Sequence, residues 1–271
     1  MDYKQNLHTH TTYCDGKDTP RQMVETAIKK GFNSIGFSGH SYMYYSSEWG
    51  MSLEGTEKYK KEIAALKEEY RDSIKIYCGI EYDMYSDLDI SDFDYSIGSV
   101  HYLKHPDGMV DFDRSGEYVE SLIDRLYGGD GYAYAEEYYR TLSKLPAHGK
   151  FDIIGHFDII NKHIETHNFF DVNSKRYLDL AFSAVSELKG KIPFFEVNTG
   201  AIARGYRTSP YPTLPILREL NAQGFMPIIT SDCHDARFLY MKFDEAAELL
   251  RSVGFKNKFV LTDDGFKPIK L

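Results

Sequence analysis

Apolar residues along this chain fall into short runs separated by longer stretches with helical spacing, the alternation expected of parallel βα units. The first run, Gln5 to His10, is a candidate strand. Thr19 then caps a helix with Pro20 at its first position, and Gly31 ends it. A second strand is expected over Ser34 to His40. In the helix expected at Glu57 to Tyr70, the residues Tyr59, Ile63, Leu66 and Tyr70 share one face. Lys75 to Asp83 and Tyr95 to Leu103 supply the third and fourth strands. Later strands are expected at Asp152 to Ile159, Phe194 to Thr199 and Pro227 to Asp232. Helices are expected at Ser174 to Leu188, Thr213 to Ala222 and near Phe243 to Arg251.

Seven βα-like units fit one α/β domain over residues 1–271, built as a closed or nearly closed barrel. An open, doubly wound sheet is the rival arrangement. It would want a single crevice where strand order reverses, not polar residues at the end of every strand. The longest departure from the pattern runs from Lys104 to Lys150. It carries the acidic DFD at 111–113, GGDG at 128–131 and a Tyr-rich helix near Tyr132 to Leu145. This excursion reads either as a lid over the barrel mouth, with GGDG supplying flexibility, or as a structural insertion whose acids face water.

Polar residues fall at the strand ends. His8 and His10 end the first strand, with Asp15 in the loop behind them; His40 ends the second, Glu81 the third and His101 the fourth. His156 and Asp158 end the fifth, Glu196 and Asn198 the sixth, Asp232 and His234 the seventh. In a barrel these positions share the C-terminal mouth, where active sites form. Along a strand, residues i and i+2 lie on one side about 6.5 Å apart, so His8 and His10 can grip one ion. Each histidine taken singly is more simply a satisfied residue at a strand end. Gathered in one small volume, they need compensating charge, because desolvation costs several kcal/mol per ion. His8, His10, Asp15, His40, Glu81, His101, His156, Asp232 and His234 exceed the ligand count of one catalytic metal, so two or three divalent ions are expected. Mixed nitrogen and oxygen ligation suits Zn, Mn or Fe. A hydroxide bridging two such ions would be a strong nucleophile, with the same ions holding phosphate oxygens.

Bulk properties narrow the partners. Net charge is -9, from 32 basic and 41 acidic residues, so nucleic acid is not an expected partner. A small phosphorylated substrate is compatible, since bound metal reverses the local sign. A mean hydropathy of -0.46 and the lack of an 18-residue apolar run argue against a membrane span. The opening MDYKQNLHTH lacks a basic-then-apolar signal, so the expected location is cytoplasmic. Cys14, Cys78 and Cys233 have neither zinc-finger nor CxxC spacing. No coiled-coil heptad marks an oligomer interface.

The motifs HTHTTYCDG at 8–16, Gly39-His40, GIEYD at 79–83, SVHYL at 99–103, GHFD at 155–158 and SDCH at 231–234 resemble the polymerase and histidinol phosphatase (PHP) superfamily. NTGAIARG at 198–205, followed by YPTLPILREL, is similar to its histidinol-phosphate phosphatase branch. The resemblance implies a distorted (β/α)7 barrel with three divalent ions. His8, His10, Glu81 and Asp232 would bind the first ion. Glu81 would bridge to a second, completed by His101 and His156, while Asp15, His40 and His234 would hold the third. Members of the branch cleave L-histidinol phosphate to L-histidinol and phosphate in histidine biosynthesis. Alternatives are a PHP phosphoesterase for another small phosphomonoester or a nucleotide, a free-standing nuclease, and a non-catalytic metal-binding scaffold.

The expected mechanism is direct in-line attack on phosphorus, without a phosphoenzyme. Arg204 is the candidate phosphate clamp, because a guanidinium matches two phosphate oxygens; Arg207 is a weaker one. Asp158 could orient a ligand imidazole or protonate the leaving alkoxide. Asn198 and Glu196 could contact the phosphate, or brace the mouth through hydrogen bonds and ion pairs. The substrate amine and imidazole call for a carboxylate and an aromatic surface, for which the excursion offers Asp111, Asp113, Glu117 and Tyr132.

Overall fold

The computed structural model describes residues 3–46, 48–106 and 108–271. Its strands are β1 (Gln5–Asn6), β2 (Ser34–Phe37), β3 (Lys75–Asp83), β4 (Tyr95–Ser99), β5 (Tyr102–His105), β6 (Gly108–Asp111), β7 (Ile153–Ile154), β8 (Phe194–Asn198), β9 (Met226–Thr230), β10 (Asn257–Thr262) and β11 (Gly265–Lys270). Seven of them form one parallel sheet in the order β1-β2-β3-β4-β7-β8-β9. Strand order never reverses, which rules out the doubly wound alternative. A parallel bridge between Thr9 and Cys233 joins the two edges, with His10 N donating to Cys233 O at 2.9 Å and Cys233 N to His8 O at 3.0 Å. The result is a distorted (β/α)7 barrel.

Several ladders are shorter than the apolar runs suggest, and the missing bonds go to side chains. Tyr95 crosses the barrel and places its hydroxyl on the Leu7 carbonyl, ending the β1 ladder. Gly36 and Gly79 make room for that ring, since a Cβ at either would strike it. At the fourth strand the chain turns after Ser99, His101 N donates to Asp83, and β5 and β6 follow as an antiparallel hairpin. The fifth strand is only β7, because His156 N is taken by the Glu196 carboxylate.

Helices α1 (Pro20–Lys29), α2 (Leu53–Glu69), α3 (Gly116–Tyr127), α4 (Gly131–Leu142), α5 (Lys175–Leu188), α6 (Gly200–Ala203), α7 (Leu214–Ala222) and α8 (Phe243–Val253) complete the chain. Thr19 and Gln22 close a reciprocal capping box at the start of α1. The excursion therefore contains a hairpin and two helices. Its GGD segment is a tight connection: Gly128 caps α3 in the left-handed conformation and Asp130 caps α4. Gly131 lies so close to the Phe169 backbone that a side chain would not fit. Both helices pack on the main core through Val119, Leu122, Tyr134 and Tyr138.

The opposite end of the barrel is closed by an element the apolar pattern does not predict. The β10–β11 hairpin lies beneath the strands, where Leu261 joins Leu7, Tyr77, Tyr95, Ile97, Ile153, Phe194 and Ile228 in one apolar plug. Gln5 fixes it by bonding the Leu261 carbonyl at 2.8 Å and amide at 2.7 Å. Among the described residues, no helix is long and apolar enough to cross a membrane.

Candidate metal centre

Glu81, near the end of β3 and 1% exposed, stands at the middle of the mouth. Its Oε2 lies 2.8 Å from His40 Nδ1, 3.2 Å from His8 Nε2 and 3.6 Å from His10 Nε2. Its Oε1 lies 3.0 Å from His156 Nε2 and 3.3 Å from His101 Nε2. One carboxylate thus faces two groups of imidazoles.

Asp232 Oδ1 lies 3.2 Å from His10 Nε2 and 3.6 Å from His8 Nε2. Its backbone sits in the left-handed region at φ 44°, an uncommon conformation for a residue with a side chain and one that clusters at functional sites. Asp15 reaches His234 Nε2 at 3.1 Å, and His10 Nδ1 and His40 Nε2 at 3.6 Å each. All nine residues expected from the strand ends therefore meet in one place.

Among the described residues, three sets have ligand atoms mutually within 4.8 Å: His8, His10 and Asp232; His40, Glu81 and His101; and His10, Asp15, His40 and His234. The first and last follow the division implied by the family motifs, with His10 shared. The middle set takes His40 where the motifs imply His156, whose Nε2 is 3.1 Å from that of His101.

The donor atoms suit cations. His8 Nε2, His10 Nε2, His40 Nδ1, His101 Nδ1 and Glu81 Oε2 are buried and, although they crowd one another, make no aligned hydrogen bond among the described residues. Leaving such atoms unpaired costs about 1–3 kcal/mol each, a cost that metal coordination removes. Burial opposes ionisation of Glu81, but His8, His40 and His101 hold its pKa well below the usual value. Burial likewise opposes ionisation of Asp232, and Arg204 and His8 overcome it. Burial together with the charges of His234 and His40 lowers His10 to about 3. Against burial, the carboxylates of Glu196 and Glu81 raise His8 and those of Glu81 and Asp83 raise His101, so these two give up a proton when they bind a cation.

Behind these groups stands Glu196. Its Oε1 is 2.5 Å from His8 Nδ1, leaving Nε2 turned to the cluster, and its Oε2 accepts from His156 N and, at 3.0 Å, from Asn198 Nδ2. Asn198 also accepts from Gly200 N and is fully buried, so it braces the start of α6. Asp158 does not carry the orienting role. It is fully buried, and its Oδ2 accepts from Thr213 N at 2.8 Å and Asn161 Nδ2 at 2.9 Å, tying the fifth-strand loop to α7.

A cavity of about 270 Å³ opens above the cluster. Arg204 lines it from the end of α6, donating to Asp232 Oδ2 at 2.8 Å and to the Asp232 carbonyl at 3.1 Å. Arg207 turns away, buried against the Tyr211 ring with a bond to Ser209. Glu117 is exposed on α3, 3.8 Å from His167, and Tyr132 packs against Phe170 and Arg176, so neither reaches the cavity. From the excursion, Asp111, Asp113 and Arg114 do. Trp49, Ile159, Lys162 and Tyr206 complete the wall, and none of them is marked by the strand-end pattern of metal-competent residues. Asp83, which accepts from His101 N, was also passed over, although the GIEYD motif places it two residues beyond Glu81 on the same side of β3.

A parallel barrel whose mouth gathers imidazoles around a shared carboxylate defines a metal-dependent hydrolase fold, and the chain belongs to the PHP domain family, whose sequence profile matches residues 6–200. It is 28% identical over 263 residues to a Deinococcus radiodurans protein named "Probable histidinol-phosphatase", covering 91% of this chain and 92% of that one. It is also 28% identical over 257 residues to the histidinol-phosphatase of Bacillus subtilis, covering 86% and 94%. In fold it matches the histidinol phosphate phosphatase of Lactococcus lactis, solved with zinc, L-histidinol and phosphate, with a TM-score of 0.74, 22% identity and coverage of 97% and 98%.

Proposed function

We propose that this chain is a histidinol-phosphatase, cleaving L-histidinol phosphate to L-histidinol and inorganic phosphate with two or three divalent ions. The observation that carries the reading is Glu81, set between His8, His10 and His40 on one side and His101 and His156 on the other. Two relatives spanning nearly the whole chain carry that activity in their names. In this reading, His8, His10, Glu81 and Asp232 hold the first ion; Glu81, His101 and His156 the second; Asp15, His40 and His234 the third. Bound divalent ions supply Lewis acidity and a nucleophile at neutral pH.

The protein's own groups do the rest. Glu196 fixes the tautomer of His8 by accepting a hydrogen bond from Nδ1–H, which leaves the Nε2 lone pair facing the cluster. The Arg204 guanidinium pins Asp232 in place and presents fixed positive charge to a phosphate entering the cavity. Residues 1–271 act as one domain, and the 111–114 segment of the excursion covers part of the mouth. The cavity is small, which suits a phosphomonoester of modest size and disfavours a duplex substrate.

A substrate panel at equal concentration tests the reading. kcat/KM for histidinol phosphate should exceed that for p-nitrophenyl phosphate and AMP by at least tenfold. Activity should vanish with chelator and return with Mn²⁺ or Zn²⁺. A flat panel would remove the specific activity, and indifference to chelator would remove the metal mechanism.

A further inference from the structure

The cavity already holds a primary ammonium, supplied by the chain itself. Lys162 Nζ donates to Asp113 Oδ1 at 2.7 Å and sits 4.8 Å above the Tyr206 ring, so a carboxylate and an aromatic face together form a niche for R–NH₃⁺. Lys162, Asp113 and Tyr206 all line the same cavity as the metal-ligating cluster. Asp113 keeps 30% of its side chain exposed there, while Lys162 keeps 15%.

The niche is built rather than incidental. Asp113 N donates to Asp111 Oδ1 at 2.9 Å, and Asp111 is held by Arg114 Nε at 2.8 Å. Arg114 also pairs with Glu48, the neighbour of Trp49 on the loop across the mouth. Two loops from different strands are thus tied together, and Asp113 is fixed at the end of the chain of contacts.

Resting on the proposed histidinol-phosphatase activity, we propose that Asp113 is the specificity-determining residue that binds the primary ammonium of the leaving group. The substrate ammonium takes the place of Lys162 on the carboxylate. One cation replaces another, so Asp113 keeps its charge partner. The displaced lysine remains beside a substrate that brings negative charge of its own. The same chemistry predicts discrimination against phosphate esters of equal shape without an amine.

The test compares L-histidinol phosphate with its des-amino analogue, 3-(imidazol-4-yl)propyl phosphate, on the metal-loaded full chain. The readout is the ratio of the two kcat/KM values, for which turnover of the analogue is the internal control for folding. Wild-type protein should favour the amine-bearing ester. Asp113→Asn should lower the ratio about tenfold to a hundredfold, the range of a lost charged hydrogen bond. Asp113→Glu should recover part of it. A ratio within twofold of wild type in Asp113→Asn overturns the assignment while leaving the phosphatase reading intact. Wild-type protein that does not hydrolyse histidinol phosphate overturns both.

Discussion

The two ends of the barrel are built from the same strands and solve opposite problems. At the floor, Phe194 meets Phe266 at 4.2 Å and Phe259 at 5.4 Å between ring centres, and Leu261 fills the axis. Polar groups that enter there are paired within the protein: the Gln5 amide, for one, bonds Ser34 and both backbone groups of Leu261. At the mouth, five buried ligand atoms of the cluster make no aligned hydrogen bond among the described residues, and its carboxylates stay ionised against burial. One end is complete without a ligand. The other is complete only with cations, and that incompleteness is what chemistry at the mouth requires.

Substitutions at the two ends should therefore separate activity from stability. Glu81→Gln at the mouth should lower kcat/KM by about a thousandfold, the several kcal/mol expected for lost Lewis-acid stabilisation, with reduced metal content by elemental analysis. Phe194→Ala at the floor should cost about 3–5 kcal/mol of folding stability by denaturant titration. Its kcat/KM, measured where the protein is still folded, should stay within a few-fold of wild type. If the floor variant lost activity as completely as Glu81→Gln, the two ends would not be separable.

Glu196 tests the boundary between them, being fully buried yet bonded to His8. Glu196→Gln should reduce metal affinity or activity about tenfold to a hundredfold, less than a ligand and more than a packing residue. Metal titration by calorimetry would read it directly, and wild-type affinity would show that the His8 contact does not matter.

The mildest probe needs no mutation. Trp49 is the sole tryptophan, its ring 4.3 Å from His40 and 5.1 Å from His101. Adding Mn²⁺ or Co²⁺ to chelated protein should change its fluorescence saturably. A signal blind to metal would place the ions elsewhere.

The mouth was legible in the sequence and the floor was not. Strand-end histidines and carboxylates can be marked without knowing how the barrel closes, because their positions follow from the alternation of strands and helices. The ladders were overestimated at Gln5 to His10, Tyr95 to Leu103 and Asp152 to Ile159. There the backbone gives up sheet bonds to Tyr95, Asp83 and Glu196, contacts distant in sequence that periodicity cannot register. The β10–β11 hairpin escaped for a similar reason: residues 257–270 alternate only weakly, and their place is set by Phe194 and Gln5. Asp158 illustrates the limit for roles. Its spacing from His156 suggested a shared direction, but its hydrogen bonds to Thr213 and Asn161 turn it toward the fold.

The most direct measurement is metal stoichiometry against activity on gently purified protein. Two or three divalent ions per chain at full turnover of histidinol phosphate, with activity falling in proportion as ions are withdrawn, is the predicted result. Full activity in protein carrying less than one ion per chain would contradict it.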